Sequence, residues 1–230
     1  MKTLGLIGGL SWFSTSVYYR KINEIVHQRL GSSHSAKLIL YSIDFEEFRL
    51  IQAKQDWAAL EKMLTDIALR LEGAGAECIV MCTNTPHIIA DQLRLNIRTP
   101  LIHIAEETAK EILNKKIKKV GLLGTKFTME HTFFKDKLTA SGIDTTIPDP
   151  EEREFIHNSI FSELTLGIIN PDTKKKYHEI IDGLEKQGAQ GIISGCTEIG
   201  LLIHQADCNI TFFDTTDIHA KAAVDFALTS

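Results

Sequence analysis

Two positions in this chain are candidates for moving a proton, and they occupy the same place in two copies of one pattern. Residues 75–85 read Gly-Ala-Glu-Cys-Ile-Val-Met-Cys-Thr-Asn-Thr, and residues 188–198 read Gly-Ala-Gln-Gly-Ile-Ile-Ser-Gly-Cys-Thr-Glu. Each copy is a Gly-Ala turn, a short apolar run and then small polar residues. The opening glycines are 113 residues apart, and so are Thr83 and Cys196. A thiol is a plausible base, with an ordinary pKa of about 8.5 that its neighbours can lower. Backbone N–H groups in the turn at Cys196, Thr197 and Glu198 are expected to favour a thiolate or a bound carboxylate. Two such positions facing one small cleft suit removal of a proton from one face of a carbon and its delivery to the other.

The elements that must hold these positions alternate between strand and helix. The first strand covers residues 2–7 and ends at Gly8-Gly9. Ser14 or Ser11 caps the helix that follows, and Val17, Ile22, Ile25, Val26 and Leu30 form its apolar stripe. Residues 37–43 read as a second strand, and residues 57–71 as an amphipathic helix with Leu60, Met63, Leu64, Ile67 and Leu71 at helical spacing. After the third strand, Thr85 is expected to cap a helix with Pro86 at its first position. A fourth strand over residues 100–104 precedes a helix over 105–114. The pattern then restarts at residue 118. A helix over 128–141, a weak strand at 145–147, a helix over 152–166 and one capped by Asn170 lead to the second organising stretch. A strand over 209–213 and a helix over 214–228 close the chain.

An internal repeat of about half the chain is the strongest fold signal. It predicts an α/β protein of two pseudo-symmetric, doubly wound, Rossmann-like domains with parallel sheets and the active site in the cleft between them. The boundaries read as 1–98, completed by a C-terminal helix over 214–230, and 99–213. Ligands in such sheets bind at the carboxyl ends of the strands. That places Leu10, Ser11, Thr83, Asn84, Thr85, Thr125, Cys196, Thr197 and Glu198 at candidate positions.

The bulk numbers exclude several classes. The chain has 230 residues, 43% hydrophobic and 24% charged, with a net charge of −5, so no basic excess argues for nucleic acid. No apolar run is long enough to span a membrane, and the first residues lack the features of an export signal. The expectation is a cytoplasmic enzyme with free thiols at Cys78, Cys82, Cys196 and Cys208. Cys78 and Cys82 share one strand and have no second pair at zinc-site spacing, so they read as buried thiols and no metal site is expected. Gly5-x-x-Gly8-Gly9 is not a dinucleotide fingerprint, and no Walker A or G-x-S-x-G motif occurs.

The paired stretches resemble the signatures of the aspartate/glutamate racemase superfamily, which works without pyridoxal phosphate. That family carries C-N-T-x-H and G-C-T-E; this chain has Thr83-Asn84-Thr85-Pro86-His87 and Gly195-Cys196-Thr197-Glu198. Gly5 to Trp12 and Gly121 to Thr128 also match, so the resemblance covers essentially the whole chain. It implies an isomerase acting on amino acids with no cofactor, with opposed cysteines as bases, one for each enantiomer. Here Thr83 replaces the first, as in a subgroup of the family. Cys82 is no simple substitute, because successive strand residues point to opposite faces. The implied outcome is Cys196 as base, Thr83 as a weaker partner on the other face, and a preference for L-amino acids.

The resemblance also implies a lysine for the distal carboxylate of an acidic substrate, at a position matched here by Thr165. Arg49 and Lys126 remain as cationic candidates. Asn84, Thr85 and Thr197 are expected to bind the α-carboxylate and ammonium, Gln52 to face the cleft, and His87 to support the turn or cap it. His103 either serves the cleft or packs, and His219 reads as surface. Two other readings stay open: a single-cysteine decarboxylase of the same fold, and a non-catalytic amino-acid-binding protein. The expected partner is a small amino-acid substrate, with a homodimer possible for an enzyme of this size.

Overall fold

The computed structural model describes residues 1–229. Two compact units divide the chain: Met1–Ile104 with His219–Ser230, and Ala105–Ile218. No helix among the described residues is long and apolar enough to cross a membrane.

The first unit is built on β1 (Leu4–Gly8), β2 (Leu38–Ser42) and β3 (Cys78–Met81), joined by α1 (Trp12–Leu30), α2 (Phe45–Ala53) and α3 (Trp57–Gly73). All pairing is parallel, in the order β2-β1-β3. Alternation along the strands sorts side chains between two cores. Ile7, Ile79 and Met81 pack on the α3 side with Leu60, Leu64 and Leu71. Leu4, Leu6, Cys78, Val80 and Cys82 pack on the other side, against Tyr18, Ile22 and Val26 of α1 and Ala220, Ala223 and Val224 near the C-terminus. Each fully buried aliphatic side chain contributes roughly 1.5–3 kcal/mol.

Residues 100–104, expected as a strand, contribute only a single bridge, Ile79 to Leu101. Pro100 has no N–H to donate, and α5 (Ile104–Asn114) starts too soon for pairing to continue. After β3 a 3-10 helix, Thr85–Ile89, leads into α4 (Ala90–Asn96). Its cap position is Asn84, not Thr85, and no side-chain capping bond forms.

The second unit holds four parallel strands in the order β5-β4-β6-β7: β4 (Lys119–Leu123), β5 (Asp144–Thr146), β6 (Gly191–Ser194) and β7 (Thr211–Asp214). The helix expected over 128–141 is two, α6 (Lys126–Glu130) and α7 (Thr132–Ala140), broken at His131, whose ψ of 157° is extended. α8 (Pro150–Ser162) carries a full capping box from Asp149 and Glu152. α9 (Pro171–Lys186) starts at the expected cap, Asn170. α10 (Thr215–Leu228) returns the chain to the first unit at His219.

His219 corrects the expectation of a surface residue: it is fully buried. A repeat position on a helix does not reveal which face will be covered. Its Nε2 lies 2.9 Å from the Ile102 carbonyl, which can only accept, so Nε2 carries the proton and Nδ1 accepts from the Tyr18 hydroxyl at 2.8 Å. His87 and His103 are buried beside it, with ring centroids 5.4 Å (His87–His219) and 4.8 Å (His87–His103) apart. Burial holds His219 at a pKa of about 4. Burial and the two neighbouring imidazoles hold His87 well below the usual value.

These groups bind protons more readily in the unfolded chain than in the folded one. Their stability contribution is therefore complete above the unfolded value of about 6.5 and is lost as pH falls toward about 4, with His219 worth about 3 kcal/mol. Urea midpoints at pH 7 and pH 4.5 should differ less in His219→Gln than in the wild type; an identical pH dependence would exclude this role.

Candidate active site

In the first unit, β1 and β3 are adjacent and deliver their following residues to the same sheet end. Gly9 has φ +77°, and a Cβ there would meet the backbone oxygen of Ile43 at 2.1 Å, so only glycine fits this turn. Ser11 caps α1 by accepting from the Ser14 N–H. The Ser14 hydroxyl, buried, donates to the Cys82 carbonyl at 2.5 Å. That bond ties the β1 turn to the residue preceding Thr83. Ser14 enters the sequence reading only as a possible cap, because the bond it makes spans 68 positions.

Thr83 and Thr85 are half-buried and Asn84 is buried. Cys82 belongs wholly to the core shared with α1, on the opposite side of the strand from Met81, and burial pushes its thiol pKa up. Its geometry agrees with the alternation argument against it as a stand-in base. Cys78 is pushed up to about 12 for the same reason, with the Glu77 charge adding to it. His87 Nδ1 donates to the Asn84 carbonyl at 3.1 Å, supporting the turn from the buried side. Leu10 is buried in the core with Phe48. Gln52 lies half-buried on α2.

In the second unit, the ends of β4 and β6 meet closely. Gly195 donates to the Leu123 carbonyl at 2.7 Å, and a Cβ on Gly195 would lie 2.8 Å from that oxygen. Thr215 holds the Ser194 carbonyl at 2.8 Å, and Thr216 reaches the Thr197 hydroxyl at 3.4 Å. The turn so fixed presents Cys196, half-buried, with its thiol donating to the Glu198 carboxylate at 2.9 Å. Glu198, expected to contact substrate, is itself buried.

The direction of the thiol's shift reverses the expectation. Burial, then the Glu198 charge and its hydrogen bond, push the Cys196 pKa well above the usual thiol value. The backbone N–H groups of Glu198 and Ile199 act the other way and lose. Only one turn of 3-10 helix, Ile199–Leu201, follows, so the aligned dipoles of a long helix are missing.

Thr125 caps α6, its hydroxyl accepting from the Thr128 N–H at 3.4 Å. Thr165 is exposed and its hydroxyl donates to the Phe161 carbonyl. Both cationic candidates are engaged. Lys126 pairs with Glu154, and Arg49 holds Glu46 through two bonds of 2.6 and 2.7 Å.

The family model for Asp/Glu/Hydantoin racemase matches residues 7–223. The chain belongs to that family. It is 50% identical to a candidate Asp/Glu racemase from Yersinia pestis of known crystal structure, over 100% of both chains with a TM-score of 0.96. An aspartate racemase homologue from Pyrococcus horikoshii is 36% identical, again over 100% of both chains, with a TM-score of 0.91. The broad specificity amino-acid racemase RacX of Bacillus subtilis is 25% identical over 96% of each sequence.

Replacing Glu198 by Gln removes the charge that holds the Cys196 proton. Alkylation of Cys196 by iodoacetamide, read by peptide mass mapping, should then reach its half-maximal rate at lower pH than in the wild type. A shift to higher pH, or none, would contradict the proposed electrostatic control.

Proposed function

We propose that this protein is an amino-acid racemase that needs no cofactor and acts on aspartate or glutamate, with Cys196 removing the Cα proton of the L-enantiomer and Thr83 on the opposite face. One observation carries the reading: the Cys196 thiol is hydrogen-bonded to a buried carboxylate at 2.9 Å. A neutral thiol is no base. Here the acceptor of its proton is already in place. Transfer leaves a thiolate and a neutral Glu198. The thiolate then takes the proton from Cα, restoring the thiol and leaving a carbanion next to the substrate carboxylate. Proton transfer by a positioned group contributes about 10²–10⁴-fold.

The carbanion must be protonated from the far side for inversion. A threonine hydroxyl is a poor acid and its alkoxide is not populated near neutral pH, so Thr83 acts by relaying a proton from water. Return of the proton from Cys196 is the faster outcome. Exchange with solvent at the L-enantiomer therefore runs ahead of racemisation.

The acidic side chain is supported by the family and by the names of its relatives. It has to compete for a cation, since Arg49 and Lys126 already hold Glu46 and Glu154. A polar neutral side chain meets no such competition.

In D₂O, NMR should show deuterium entering Cα of L-aspartate or L-glutamate faster than the D-enantiomer accumulates. Cys196→Ala should lower exchange by at least about 100-fold, while Thr83→Cys should raise racemisation relative to exchange. A wild type that incorporates no deuterium into any amino acid would sink the proposal. Carbon dioxide release from malonate-type acids would point to a decarboxylase, and tight binding without exchange to a binding protein.

A further inference from the structure

Glu163 stands where α8 ends, and its backbone is fixed from three directions. Its N–H donates to the Ser159 carbonyl at 3.0 Å, and its own carbonyl accepts from Leu166 and Ile168 at 3.0 Å each. One carboxylate oxygen, Oε1, accepts from the Asn170 side chain at 3.3 Å. The other, Oε2, is shielded from solvent and accepts no hydrogen bond among the described residues. Buried carboxylate oxygens without a donor are costly and rare, and each needs a cause.

The surroundings point to the Cys196 end of the second unit. Leu164, the next residue, packs in the same cluster as Tyr177, Ile199 and half-buried Cys196. The Tyr177 hydroxyl lies in the field of both Cys196 and Glu163. That hydroxyl does not satisfy Glu163. The Ser159 hydroxyl gives its proton to the Ile156 carbonyl at 2.9 Å, so the 3.1 Å bond between Ser159 and Tyr177 uses the tyrosine's proton. Burial pushes the phenol's pKa up, so it stays neutral. No lysine or arginine is paired with Glu163 in the described residues.

We propose that Glu163 Oε2 binds the substrate's α-ammonium group, orienting the L-amino acid with its Cα toward Cys196. A primary ammonium supplies what the oxygen lacks: N–H donors and a positive charge. The assignment rests on the racemase reading above and adds a positioning residue that the paired motifs do not contain. Glu198 is already committed to the thiol, which leaves Glu163 as the carboxylate of this neighbourhood with an open oxygen.

Glu163→Gln keeps the shape and removes the charge. It should raise KM for the L-amino acid about 10- to 100-fold, in the range of a lost charged hydrogen bond. The inhibition constant of the matching dicarboxylate that lacks the amine, succinate or glutarate, should stay within about twofold, and the melting temperature should hold or rise. An unchanged KM overturns the assignment. So does a parallel rise in KM and in the inhibition constant, or a lower melting temperature with KM intact, since each marks Glu163 as structural. If the wild type exchanges no amino acid, the racemase reading falls by itself. Calorimetry then still reads Glu163, because preference for the amine over its deaminated analogue is a property of binding; loss of that preference in the Gln variant supports the assignment and its persistence rejects it.

Discussion

The bond from Cys196 to Glu198 depends on how closely two strand ends can approach. Gly195 lets β6 come within hydrogen-bonding distance of the β4 terminus, and the threonines at the start of α10 hold the turn from behind. With the backbone so placed, the thiol and carboxylate two residues apart are brought together out of bulk solvent. Two influences then compete for the proton. Backbone N–H groups favour the thiolate, while desolvation and a neighbouring negative charge oppose it. The second pair wins. The cysteine is held as a thiol; on the proposed function, its base strength would appear only when its proton moves to Glu198.

The equivalent place in the first unit has been given different chemistry. Its cysteine, Cys82, is turned into the apolar core, and the half-buried position after it, Thr83, carries a hydroxyl. Beneath the turn lie imidazoles, which burial keeps neutral. With neutral imidazoles beneath it, the polar turn over residues 83–85 would suit a bound carboxylate on the proposed function. The Cys196 turn of the second unit holds the Glu198 carboxylate, and on the inference above Glu163 adds a second one for a bound ammonium. A zwitterion needs both characters. On the proposed function, the repeat provides the two scaffolds and divergence at a few residues gives each its own sign.

Much of this was legible in the residues. The 113-residue repeat, the apolar runs, Ser11 and Asn170 as caps and the alternation that removes Cys82 all follow from local rules, and the structure carries them. What was not legible depends on contacts made at a distance. His219 reads as surface until Tyr18 and the Ile102 carbonyl enclose it. The 3-10 turn begins after Asn84 with no side-chain cap, and its Pro86 and Ile89 are buried, which the Thr-Pro pair alone does not reveal. The thiol shift takes the opposite sign because sequence shows the turn's N–H groups but not its burial. Glu163 has no motif at all; its one signal is an oxygen left without a donor.

Selectivity for the side chain follows the same logic of competition. Arg49 and Lys126 look available in the sequence, yet each already holds a glutamate. These pairs are open to solvent, so each is worth little. An acidic side chain that displaces one gains the difference between two carboxylates for the same cation, which is smaller than its bond to a free one. On the proposed function, discrimination between an acidic and a polar neutral substrate would depend on whether the substrate can open one of these pairs. A site so arranged would tolerate several amino acids, and its selectivity would weaken further as salt screens both competitors. Recognition of the shared ammonium and α-carboxylate, fixed by buried groups, would be screened much less. The backbone of the amino acid, rather than its side chain, is what such a site reads most firmly.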